Sequence, residues 1–173
     1  MRRRKNKDFL FKCLFLLLIG ILLFESYQLF QPDEKKKDAS LMLFEVVNFE
    51  MEILNSSLME SVQINNTNEL DRLKLAAYSA SFGHERMVKV FGEDQIVYLP
   101  AIEKLVNMIT GWQIGGDRPL SMSEKNILVE FSAKFAEIVS IYAILVDSDR
   151  GMTSTQADKL ATIGQQLDDI ISQ

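Results

Sequence analysis

His84 and Cys13 are the only histidine and the only cysteine of the chain, and this scarcity bounds the chemistry the sequence can carry. A paired-histidine metal site, a cysteine zinc cluster and an internal disulfide each need at least two such residues. His84-Glu85 therefore does not open a zinc helix, and no Gly-x-Ser-x-Gly turn points a serine at His84. Two roles remain for this histidine. It could sense pH, because its charge changes near neutrality, or it could sit in a core as a neutral ring hydrogen-bonded to a neighbouring helix or to Glu85.

The segment Trp112, Gly115, Gly116, Asp117, Arg118 is the best candidate for a contact surface. Two glycines free the backbone, Asp117 and Arg118 offer charge, and tryptophan is enriched at binding hot spots. The alternative is that Trp112 plugs the end of a helix stripe while the glycines turn the chain. No Gly-x-x-x-x-Gly-Lys-Ser/Thr motif follows, so a phosphate loop is not implied. Asp147, Asp149, Gly151, Thr153, Thr155 and Asp158 are spaced like a calcium loop. The glycine falls one place early, though, and the last carboxylate is aspartate rather than glutamate, so a solvated turn is the expectation. The candidate interaction or ligand contacts are thus Trp112, Asp117, Arg118 and His84. No catalytic residue, no metal ligand and no cofactor is expected, and the chain is read as a non-enzyme.

The elements that must position these residues read as helices. Three prolines and eight glycines in 173 residues are too few for the many turns of a sandwich or barrel. Leu41, Phe44, Met51, Leu54 and Leu58 share a face of a helix expected over 39–63. The tetrad Asn65-Asn66-Thr67-Asn68 ends it, with Asn68 available to cap the next helix. That helix carries the cleanest pattern: Leu70, Leu73, Ala77, Ala80, His84, Met87 and Phe91 alternate spacings of three and four up to Gly92, a C-terminal cap. Pro100 fits a helix start, and Ile102, Leu105, Val106, Ile109 and Trp112 form the following stripe. Ser121 and Glu124 spell a capping box before a helix over 122–148, with Leu128, Phe131, Phe135, Ile138, Tyr142 and Leu145 as its seam. Thr153 and Gln156 can box a last helix with seam Ala157, Leu160, Gly164, Leu167, Ile171. The fold class expected is all-α, an antiparallel bundle of about four to five helices over residues 39–173.

Ahead of the bundle lies an apolar segment. Residues 1–12 hold six basic residues against Asp8, and the uninterrupted apolar run is Cys13 to Phe24. Extended to Phe9–Phe30 it would reach about 33 Å as a helix, enough for a single transmembrane span. No small-residue cleavage motif follows, so residues 9–30 are read as a retained signal anchor. The basic tail 1–8 is then cytoplasmic, the charged stretch 31–38 a linker, and the helical region extracytoplasmic. From Pro32 onward 13 basic residues face 22 acidic ones, a balance unsuited to nucleic acid. This layout is similar in architecture to many bacterial envelope proteins and carries no family motif. Two functions follow: a non-catalytic interaction or accessory protein of the cell envelope, with an envelope protein as partner and homo-oligomerisation open, or a ligand-binding or sensory helical module exposed outside the membrane.

Overall fold

The computed structural model describes residues 3–30, 34–93, 95–146 and 154–172. Among these lie six α-helices and no strand: α1 (Arg3–Phe30), α2 (Glu34–Ser61), α3 (Asp71–Phe91), α4 (Pro100–Ile114), α5 (Met122–Val146) and α6 (Ser154–Ile171), with a short 3-10 turn at Thr67–Leu70 before α3. The chain divides into two compact units, Met1–Asp38 and Ala39–Gln173.

In the first unit α1 runs 28 residues, about 42 Å of helix. Its side chains are described from Lys12 to Ser26, and all are exposed. Among the described residues no helix is long and apolar enough to cross a membrane. The fifteen side chains described in α1 fall short of the roughly 20 a span needs, and the ends of the expected segment 9–30 lie outside them. The charged stretch expected as a linker differs from expectation: α2 begins at Glu34, so residues 34–38 are helical. Lysines are good helix formers. Residues 31–33 lie outside the described residues.

The second unit is built on the seams. Leu73, Ala77, Ala80, His84 and Met87 of α3 are buried, as are Leu128, Phe131, Phe135, Ile138 and Tyr142 of α5. Phe44, Val47, Met51, Leu54 and Leu58 of α2 close the core from a third side. Leu41 departs from that stripe and is exposed, because α2 reaches the core only from Leu43 onward. The helices meet as antiparallel neighbours. Arg72 at the start of α3 pairs with Glu60 at the end of α2 at 2.8 Å, and Ser79 donates to Glu50 Oε1 at 2.8 Å. Lys104 near the start of α4 pairs with Asp168 near the end of α6 at 2.8 Å.

Close approach of α2 to α3 depends on Gly83. A Cβ there would stand 2.0 Å from Glu50 Oε2 and 3.2 Å from Val47 Cγ2. Gly92 ends α3 at φ +93°, its N–H bonded to the Val88 carbonyl at 2.8 Å. The start of α3 corrects the expectation for Asn68. It lies inside the 3-10 turn, and neither that turn nor α3 takes a side-chain cap. The capping box of α5 forms as spelled: Ser121 N–H donates to Glu124 Oε2 at 2.8 Å, and Glu124 N–H donates to Ser121 Oγ at 3.2 Å. The Leu145 side chain, Thr153 and the calcium-like spacing over 147–153 lie outside the described residues.

Candidate functional site

His84 occupies the α3 seam and is 1% exposed. Its Nε2 lies 3.1 Å from the Val97 carbonyl, which can only accept, so Nε2 carries the proton. Nδ1 is then bare and accepts the Tyr142 hydroxyl at 2.6 Å. The ring faces Tyr98 at 6.2 Å, nearly parallel, and Tyr142 in turn stacks on Phe44 at 6.1 Å. Burial lowers the imidazole pKa to about 4, against a smaller opposing pull from the Val97 carbonyl. Burial also pushes the Tyr142 phenol well above its ordinary value. The pair is therefore neutral at physiological pH. With both nitrogens committed and the ring enclosed, His84 has no free lone pair to take a proton from a substrate.

Tyr98 separates this pair from the surface. Its outer side lines a groove of about 580 Å³ between α3 and α4, together with Tyr78, Phe82, Glu85, Lys89 and Glu103. The Tyr98 hydroxyl donates to Glu103 Oε2 at 3.1 Å. Partial burial first, and then the Glu103 carboxylate, raise its pKa. Glu85 is paired with Lys89 one turn along α3, and the Arg86 guanidinium stands 4.7 Å over the Phe82 ring. The groove thus presents aromatic walls with two carboxylates, Glu85 paired to Lys89 and Glu103 bonded to the Tyr98 hydroxyl. This arrangement suits recognition of an apolar or cationic group more than bond making.

At the other end of α3 the segment 113–121 is fastened to the α2–α3 connection. Thr67 is the fastening point. Its N–H donates to the Arg118 carbonyl at 2.9 Å, its hydroxyl to the Gly116 carbonyl at 2.9 Å, and its carbonyl accepts from Gln113 Nε2 at 2.9 Å. Leu120 N–H donates to the Asn65 carbonyl at 2.7 Å, making an isolated antiparallel bridge beside it. Arg118 turns inward and grips Glu124 with two bonds, at 2.9 and 2.6 Å. That grip is the main reason the Glu124 carboxyl falls to a pKa of about 2, with the Ser121 bonds adding to it against the cost of burial. Trp112 is half-buried against the core, and Asp117 is exposed at the rim of a shallow recess of about 270 Å³.

The four residues singled out from sequence therefore separate. Trp112, Asp117 and Arg118 share one end of the bundle, whereas His84 sits about 15 Å further along α3, counted from the Lys74–Gln113 contact. Arg118 is spent on Glu124, which leaves Asp117 as the freely presented charge of that loop. Sequence reasoning passed over Thr67, Tyr98 and Glu124 as partners. The capping box marks Glu124 as a cap, but no spacing rule links it to an arginine six residues earlier. Among the described residues no three His, Cys, Asp or Glu side chains converge as a metal site would require. Comparison with protein-family models, curated proteins and solved structures finds no match for this chain.

Proposed function

We propose that this chain is a single-pass membrane protein whose N-terminus is cytoplasmic and whose helical bundle stands outside the membrane as a non-catalytic interaction protein of a bacterial envelope. The observation that carries the reading is α1. From Leu14 to Phe24 its large apolar side chains are exposed along an unbroken helix. Twelve consecutive apolar residues leave no polar face, and a helix apolar all round belongs in a core or in lipid. The six basic residues ahead of it set the orientation. The non-catalytic part is supported by the commitment of His84, Glu124 and Arg118 to structural bonds.

A second reading, a ligand-binding module, is favoured by the groove at Tyr78, Phe82 and Tyr98. Two measurements test these readings. After alkaline carbonate washing the full chain should stay with the membrane pellet, and release into the supernatant would overturn the anchor. A tyrosine-to-alanine change at Tyr78 should leave partner crosslinking in membranes intact. Loss of crosslinking on that change alone would transfer the function to the groove.

A further inference from the structure

The outward face of α2 is apolar and uncovered. Met42, Val46, Phe49 and Ile53 are 65, 54, 62 and 42% exposed. Their spacing of four, three and four places them in one stripe about 17 Å long, opposite the side that buries Val47, Met51 and Leu54. A stripe of this spacing is the surface that another helix covers in a coiled-coil contact. The charge around it is one-sided. From Ala39 to Ser61 the helix holds Glu45, Glu50, Glu52 and Glu60 and no lysine, arginine or histidine.

From this we infer that the α2 face docks an amphipathic helix of another protein that carries lysine or arginine beside its apolar stripe. Glu45 and Glu52 lie seven residues apart on one flank of the stripe, both exposed, while Glu50 on the other flank is held by Ser79. A second copy of this chain supplies no cation: antiparallel copies set the exposed Glu45 against Glu52, and in parallel copies Glu50 is turned onto α3 and offers Glu45 no partner. An anionic lipid surface meets the exposed carboxylates Glu45 and Glu52. The chain's own basic cluster precedes the anchor and, on the reading above, lies across the bilayer. The complementary partner is therefore a separate, basic helix bound in the helix-in-groove mode.

This surface rests on the interaction reading, and its test is separable from that reading. The full chain in phosphatidylcholine nanodiscs is titrated into a labelled helical peptide of about four heptads with leucine at a and d and lysine at e and g. A twin peptide with glutamate at e and g and empty discs serve as controls. The lysine helix should bind at least roughly ten-fold tighter than its twin, V46E/F49E should weaken it by a similar factor with Tm unchanged, and E45K/E52K should reverse the preference. Equal affinity for the twins, or indifference to V46E/F49E, overturns the inference. So does a dimer of the full chain, or sedimentation with anionic vesicles, that V46E/F49E abolishes, because either result assigns the face to a different occupant. If the lysine helix fails while envelope proteins still crosslink to the full chain, the interaction reading stands without this surface.

Discussion

At the residue scale the stability of the bundle is tied to one imidazole. His84 has a pKa of about 4 when folded and an ordinary value near 6.5 when unfolded. The unfolded chain therefore binds the proton first on acidification. Stability is complete above pH 6.5 and declines as pH falls towards 4, by roughly 3 kcal/mol in total. Replacing His84 by leucine should flatten that part of the Tm-versus-pH curve. At neutral pH the variant should also lose about 1–3 kcal/mol, because the Tyr142 hydroxyl is left buried without its acceptor. An unchanged pH profile would mean that other groups govern acid unfolding. Glu124 titrates in a lower window. Its folded pKa of about 2 is below the ordinary 4.5, so its pairing stabilises fully above pH 4.5 and fades as pH approaches 2. Arg118→Ala should return the carboxyl toward 4.5 in a carbon-detected NMR titration. A carboxyl that stayed near 2 would show that the Ser121 bonds alone hold it. The burial of His84 was legible from its place in a three-four seam, since such a seam fixes which face turns inward. Its partners were not legible, because spacing along α3 says nothing about which residue of α5, 58 positions away, stands at the same height.

At the element scale the contact of α2 with α3 sets the sharpest expectation. Gly83→Ala improves helix propensity by up to about 1 kcal/mol but drives a methyl into Glu50 and against Val47. The net effect should be a loss of about 1 kcal/mol by chemical denaturation. With Glu50→Ala already present, the same change should become neutral or stabilising. A double-mutant cycle showing additivity would mean that Glu50 swings aside without cost. The seams of α3 and α5 and the capping box of α5 could be read directly, because each is a local rule written in three or four residues. The start of α3 could not. Asn68 has the right side chain for a cap, but the Thr67 backbone is held by Arg118 and Gln113, and those bonds wind the chain into a 3-10 turn first. α2 likewise begins at Glu34 rather than at residue 39, because three adjacent lysines are as compatible with helix as with a solvated stretch.

At the scale of the whole molecule the expectation is a protein that behaves as two parts. Protease added to cells stripped of their wall should remove the bundle and spare the basic tail. Protection of the entire chain would reverse the orientation or place both parts on one side. Circular dichroism of the full chain should be dominated by helix, as the six helices among the described residues require. The stacking of Phe44 on Tyr142 adds a mechanical consequence. Among the described residues Leu43 and Phe44 are the first side chains after the boundary at Asp38 to pack on the core, so a load applied to the bundle from its N-terminal side reaches these two first. The Phe44 ring leans on the tyrosine that holds His84. Acid and tension thus converge on the same joint. Pulled from its N-terminus, the bundle should shed α2 at a rupture force that drops as the medium is taken from pH 6.5 towards 4, while pulling from α6 loads a different joint first.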